Sequence, residues 1–203
     1  MKRIVVVDAA RLSDVAAEWI AAAVEADVRE RGHCALALSG GGTPRPVYER
    51  LAREPLASRI RWRHIDVYFG DERAVPPDHP ASNCRLVLRS LVGPAGIPAA
   101  QVHRMRGEAE ELERAAREYA LLLARPLDLL LLGVGEDGHT ASLFPGSALL
   151  DDDDLYVGVV ADSPKPPALR LTIMPRVIRE ARDVAVLVTG RDKARAVGAA
   201  LGD

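Results

Sequence analysis

Four short runs in this chain set charged or proton-carrying side chains among glycines, and a glycine lets a ligand come close to the backbone. The longest is Gly133-Val134-Gly135-Glu136-Asp137-Gly138-His139-Thr140-Ala141-Ser142-Leu143-Phe144-Pro145-Gly146, directly after the apolar stretch Leu127–Leu132. A histidine among glycines just past an apolar strand is open to substrate. Asp137, two positions before His139, can orient its imidazole, and the two together equip a site for general acid–base catalysis. Ser39-Gly40-Gly41-Gly42-Thr43-Pro44 follows apolar Cys34–Leu38. Successive backbone N–H groups in such a turn, backed by a helix N-terminus, bind anions, although the same glycines also serve a plain tight turn. Gly70-Asp71-Glu72-Arg73 puts two acids and a guanidinium at the end of Ile65–Phe69, as either a functional set or a solvated, salt-bridged turn. Thr189-Gly190-Arg191-Asp192-Lys193-Ala194 places Lys193 in the first turn of a helix, where the dipole disfavours a cation unless an anion lies beside it. Only Lys2, Lys165 and Lys193 are lysines among 27 basic residues, so a lysine in that turn points to a phosphate ligand, with a solvated surface lysine as the alternative.

Other patterns lead nowhere. Gly133, Gly135 and Gly138 spell GxGxxG, but Pro145 and Gly146 follow too soon for the helix a dinucleotide fingerprint opens. The acids further on, Asp151–Asp154, form a charge run in place of a single ribose ligand. Ser142 lacks the G-x-S-x-G elbow of a serine nucleophile. Five histidines without metal-type spacing and two distant cysteines, Cys34 and Cys84, predict no metal, no cofactor and no disulfide framework. A net charge of −2 leaves no electrostatic footprint for nucleic acid or an anionic membrane. No apolar run approaches the roughly 20 residues of a membrane span, and Met1–Asp8 is too short and too soon interrupted for a signal peptide. These features predict a cytoplasmic protein.

The elements that must carry the four runs alternate along the chain. Strands are expected at Ile4–Val7, Cys34–Leu38, Ile65–Phe69, Val102–Met105, Leu127–Leu132, Val157–Val160, Leu169–Ile173 and Val184–Val188. Between them, Ser13-Asp14 caps a helix ending near Gly32 whose apolar face carries Val15, Trp19, Ile20, Ala23 and Val24. Thr43 as N-cap with Pro44 at the first helical position starts another, to about Arg53. Further helices are expected over about 82–91, 108–123 and 175–181, and after Gly190. The near-continuous apolarity of Leu127–Leu132 marks a central parallel strand covered on both faces. The βαβ alternation predicts one α/β domain with a mostly parallel sheet between helical layers, and in such sheets ligands bind beyond the carboxyl ends of the strands.

These runs, with Phe69-Gly70-Asp71-Glu72-Arg73-Ala74-Val75-Pro76, Ser163-Pro164-Lys165-Pro166-Pro167, Arg170-Leu171-Thr172 and Gly190 with Lys193-Ala194, resemble 6-phosphogluconolactonases, in family order across nearly the whole chain. The resemblance implies a three-layer α/β/α fold with a Rossmann-like central sheet. It implies metal-independent hydrolysis of 6-phospho-D-glucono-1,5-lactone in the oxidative pentose phosphate pathway, by a monomer or small homo-oligomer. It also implies roles: His139 as general base with Asp137 as its partner, Asp71 and Arg73 in the catalytic sugar site, and Ser39, Gly40, Gly41, Gly42, Thr43, Arg170 and Lys193 around the phosphate. The glycine-rich loop and the lysine turn are shared with glucosamine-6-phosphate deaminases. The deaminase loop, however, reads like D-G-H-I-A-F-N-E-P, and Ser142-Leu143-Phe144-Pro145 supplies no such glutamate. A sugar-phosphate sensor would carry a helix-turn-helix segment, for which there is no room before Ile4, and would have no need of His139. Family chains continue past the Lys193 helix with a strand and a terminal helix, whereas this one stops at Leu201-Gly202-Asp203. The expectation is therefore a single domain over 1–203 without that strand and helix.

Overall fold

A computed structural model describes residues 4–123 and 125–202. The first long element is α1 (Leu12–Arg31), with Asp14 in its first turn, Arg29 and Arg31 in its last, and Gly32 closing it in the left-handed conformation. Acid at the start and base at the end both complement the helix dipole. Its buried stripe is Ala16, Ala17, Ile20, Ala21, Val24 and Val28. That stripe is rotated from the expected face, and Trp19 stays 40% exposed. The next elements are β1 (Cys34–Leu38), α2 (Pro44–Leu51), α3 (Leu56–Arg59), β2 (Ile65–Phe69) and β3 (Asp71–Arg73). The expected helix over 82–91 is α4 (Asn83–Val87), capped by Ser82, whose hydroxyl accepts from the Arg85 N–H. It widens into a π-type turn over Leu88–Val92 and ends in the short α5 (Gly93–Ala95). After these come α6 (Leu112–Leu122), β4 (Leu129–Gly133), β5 (Val157–Val160), β6 (Arg170–Ile173), α7 (Pro175–Glu180), β7 (Asp183–Leu187) and α8 (Ala194–Leu201).

The strands form two sheets. β2-β1-β4-β7 is a fully parallel four-stranded sheet, and β3-β6-β5 is a separate antiparallel one. Gly70 joins them: its N–H donates to Leu38 O at the end of β1, and its carbonyl accepts from Ile173 N beside β6. Side chains alternate across the parallel sheet as the strand period demands. Cys34, Leu36 and Leu38 with Leu129 and Leu131 pack with α1 and α2 on one face. Ala37, Leu130 and Leu132 pack on the other with α6, α7 and the second sheet. The result is the expected three-layer α/β/α arrangement, in which the antiparallel sheet shares one outer layer with α6.

Two strand expectations change, and two expected strands fall outside the parallel sheet. Ile4–Val7 forms no strand, and Val6 is 89% exposed; Met1, Lys2 and Arg3 lie outside the described residues. Val102–Met105 reduces to one bridge, Val102 to Val67. Val157–Val160 and Arg170–Ile173 form strands but pair antiparallel, with each other and, for the second, with β3. Thr43 also departs from its expected cap role: it is already helical, and its hydroxyl caps nothing. Among the described residues no helix is long and apolar enough to cross a membrane.

Candidate active site

Because the four central strands are parallel, their carboxyl ends lie along one edge, and the sequence runs that follow β1, β2, β4 and β7 meet there. They line a cavity of about 340 Å³ whose walls include Ser39, Gly40, Gly41, Gly42, Thr43, Asp71, Arg73, Gly135, His139, Arg170 and Lys193. Every expected site residue except Asp137 lines this space, and Asp137 reaches it through His139. The turn after β4 is closed by Gly135 N donating to His139 O at 2.8 Å and Gly138 N to Gly135 O at 3.1 Å. Asp137 Oδ1 lies 2.5 Å from His139 Nδ1. A carboxylate only accepts, so this contact assigns a proton to Nδ1, and in the neutral ring Nε2 then carries the free lone pair. Burial pushes the Asp137 carboxyl up, but the bond and charge interaction with His139 outweigh it and hold the group below its ordinary value. Gly135 is needed for this contact. A Cβ there would stand 2.0 Å from His139 Nδ1 and 2.5 Å from Asp137 Oδ1. The imidazole rests on Phe144, ring centroids 4.6 Å apart.

The floor of the cavity is a buried polar network. Asp71 has both carboxylate oxygens engaged, Oδ1 by Asn83 Nδ2 at 2.9 Å and Oδ2 by Ser142 Oγ at 2.6 Å. Ser142, 1% exposed, also accepts from Arg170 Nη1 at 3.3 Å. Ala141, just before it, is the one non-glycine described residue at positive φ, +49°, a conformation that costs on the order of 1 kcal/mol or more. Two further Arg170 N–H groups are used within the protein: Nε donates to Pro167 O at 2.9 Å and Nη2 to Lys165 O at 2.6 Å. Burial holds Arg170 below its ordinary value, Arg73 nearby lowers it further, and Asp71 partly offsets both. Glu72 faces away from the cavity and accepts from the N–H groups of Arg73, Asn83 and Cys84 and from Ser82 Oγ, which fixes the start of α4. Burial nonetheless raises its carboxyl. Arg73 donates Nη1 to Ala81 O at 2.6 Å, while its buried Nε has no protein partner.

At the anion side, the glycine turn is held from behind. Tyr48 OH accepts from Ser39 N at 3.1 Å and donates to Ser39 O at 2.7 Å. Ser39 is 5% exposed and its Oγ is unpaired. A Cβ on Gly40 would fall 1.7 Å from Asn83 Oδ1, so Asn83 wedges the turn against the Asp71 floor. Thr43 Oγ1 meets Thr189 Oγ1 at 2.8 Å, joining the β1 turn to the β7 turn. Lys193 Nζ lies 3.1 Å from Asp192 Oδ2 and 3.6 Å from Glu136 Oε1. Two contributors escaped the sequence reading of the site. Asn83 carried no signal beyond its place after a capping serine. Lys165 was marked by the rarity of lysine and by the Ser163–Pro167 run, but was given no role. Among the described residues no three His, Cys, Asp or Glu side chains group to hold a metal ion.

A sequence model of the glucosamine-6-phosphate isomerases/6-phosphogluconolactonase family matches residues 7–203. A 6-phosphogluconolactonase of Synechocystis is 41% identical over 181 residues, which cover 84% of this chain and 72% of that one. A 6-phosphogluconolactonase of Haemophilus influenzae is 39% identical over 163 residues, 78% of this chain and 69% of its own. The solved 6-phosphogluconolactonase of Trypanosoma brucei superposes with a TM-score of 0.87 at 32% identity, covering 98% of this chain and 86% of that one.

Proposed function

Since this chain belongs to the glucosamine-6-phosphate isomerase/6-phosphogluconolactonase family, we propose that its cavity hydrolyses 6-phospho-D-glucono-1,5-lactone to 6-phospho-D-gluconate. The observation that carries the reading is the Asp137–His139 pair, which leaves Nε2 as a base at the wall of a cavity with cationic side chains. In the step we propose, Nε2 takes a proton from water as its oxygen bonds to C1. The electron pair of the carbonyl moves to oxygen, and the Arg73 guanidinium or the N–H groups of the 39–43 turn steady that charge. Collapse breaks the bond between C1 and the ring oxygen, and the imidazolium returns the proton to that oxygen as the ring opens. Positioned acid–base help of this kind contributes roughly 10²–10⁴-fold.

Both oxygens of Asp71 already accept a hydrogen bond from the protein, so its role in this reading is to hold the floor. Arg170 gives one N–H each to Ser142, Pro167 and Lys165 and braces the same floor, while two of its five N–H groups remain for the phosphate. Ser39 to Thr43 and Lys193 take the phosphate, whose binding energy orients the remote C1. Cys34 and Cys84 are buried free thiols, Cys34 pushed up to about 12 by burial, which supports a reducing, cytoplasmic setting.

The test is lactone hydrolysis measured against the spontaneous rate, with and without chelator, and with glucosamine-6-phosphate deamination run in parallel. Acceleration unaffected by chelator is expected; no acceleration, or deamination alone, overturns the assignment. Lys193→Ala is expected to raise KM for the phosphorylated lactone by roughly 10-fold or more, in keeping with the loss of a charge-assisted bond. Weak turnover of plain gluconolactone should barely change, and Lys193→Arg should restore the phosphorylated reaction only in part. Equal losses on the two lactones would show that Lys193 does not read the phosphate.

A further inference from the structure

Lys193 is not a lone cation. Asp192 Oδ2 lies 3.1 Å from its ammonium and Glu136 Oε1 at 3.6 Å. The Asp192 carboxylate is seated on Gly190, where a Cβ would fall 2.2 Å from Oδ1, and Gly190 holds φ +99°. A second lysine, Lys165, lines the same cavity. Its carbonyl is pinned by Ser163 Oγ at 3.0 Å and Arg170 Nη2 at 2.6 Å, while among the described residues no acid lies within ion-pair distance of its ammonium. The bond from Lys193 holds Asp192 below its ordinary value, and the charge of Lys165 adds to the effect. The carboxylate therefore sits in the field of both lysines.

We propose that the phosphate end of the cavity is a two-lysine subsite, Lys193 and Lys165, in which Asp192 is a built-in anion that the substrate's phosphate displaces. The proposal rests on the reading of the cavity as a phosphorylated-lactone site. A phosphate monoester carries close to two negative charges and three acceptor oxygens near neutral pH, so it can span two ammonium groups where a carboxylate serves one. A neutral hydroxyl cannot displace Asp192, which makes the acid a selector for phosphorylated ligands. Because Asp192 competes with the phosphate, it also weakens binding of the product, which carries the same phosphate, and so favours its release.

This makes Asp192 distinguishable from a residue that merely aims Lys193. Removing a competitor tightens binding, whereas removing a guide loosens it. The experiment is calorimetric titration of the full chain with inorganic phosphate, for the wild type, Asp192→Asn and Lys165→Ala. KM is measured on the phosphorylated lactone and on gluconolactone, and thermal melts check that both surface variants are folded. Asp192→Asn is expected to tighten phosphate and lower KM about 3- to 10-fold, and Lys165→Ala to weaken phosphate and raise KM about 10-fold. Both effects should be larger on the phosphorylated lactone than on gluconolactone, which has no phosphate to bind. Weaker or unchanged phosphate binding in Asp192→Asn, or unchanged binding in Lys165→Ala, overturns the proposal. A wild type that orders phosphate as expected but does not accelerate lactone hydrolysis would retain the subsite and sink the reaction assigned to it.

Discussion

His139 offers a base through one nitrogen, because Asp137 occupies Nδ1 at 2.5 Å. His139→Ala should lower kcat by about 10²–10⁴-fold with KM nearly unchanged, since the lost group acts in the transition state. Asp137→Asn should do the same more mildly. Asp137 is held below the ordinary carboxylate value, so it stays ionised as pH falls from 8 to 5. A kcat for His139→Ala close to wild type would refute the base. Gly135→Ala is a sharper probe, because its methyl would enter the space of both Nδ1 and Oδ1. The variant is expected to fold with an unchanged melting temperature and to lose kcat by at least about 10-fold, through misplacement of the imidazole. An active Gly135→Ala enzyme would mean that the Asp137–His139 contact is not needed.

Elements meet at Ser142. Its hydroxyl bonds Asp71 in β3 and Arg170 in β6, and its N–H donates to Thr172 Oγ1 at 3.1 Å, also in β6. The turn that carries His139 is thereby tied to the antiparallel sheet. Ser142→Ala should leave one oxygen of buried Asp71 without its donor, costing about 1–3 kcal/mol of stability. It should also reduce kcat by about 10-fold as the His139 turn loosens. Urea melts and steady-state kinetics measure the two effects separately. A stability loss with kcat intact would show that the tie supports the fold alone.

Across the protein as a whole, the two ends of the parallel sheet do different work. At the end opposite the cavity, Asp128, 4% exposed, accepts from Ala35 N at 2.8 Å and pairs with Arg31 at 3.2 Å and Arg182 at 3.3 Å. Arg182 reaches water, and Arg31 keeps its ion pair with Asp27, although its buried Nε would lose the facing acid. Asp128→Ala should therefore cost about 1–3 kcal/mol, mostly through the orphaned Ala35 N–H and the lost packing. kcat/KM should stay within about 2-fold of wild type at temperatures where the variant is folded. A large kinetic defect in folded Asp128→Ala would show that this end of the sheet is coupled to the site.

The four glycine-containing runs, most of the order of helices and strands, and the parallel central sheet were legible in the chain, because each depends on local chemistry. Turn residues need no distant partner, and the apolar period of β1 or β4 records the two faces each strand must bury. The family pattern added roles to residues already conspicuous for their neighbours. Other features depend on which strands and loops become neighbours, and no local pattern encodes that. Val157–Val160 reads as a strand in either sheet, and only pairing with Arg170–Ile173 places it in the antiparallel one. Ile4–Val7 has a strand's composition without a strand's partner. Thr43 looks like a helix cap until Thr189, 146 positions away, takes its hydroxyl. The sequestration of Asp71 by Asn83 and Ser142, the use of Arg170 as a brace, and the arrival of Lys165 at the cavity wall all follow from contacts between segments far apart in the chain. A residue's type and near neighbours state what it can donate or accept, whereas only the packed structure decides which of those bonds are already taken and which remain for a substrate.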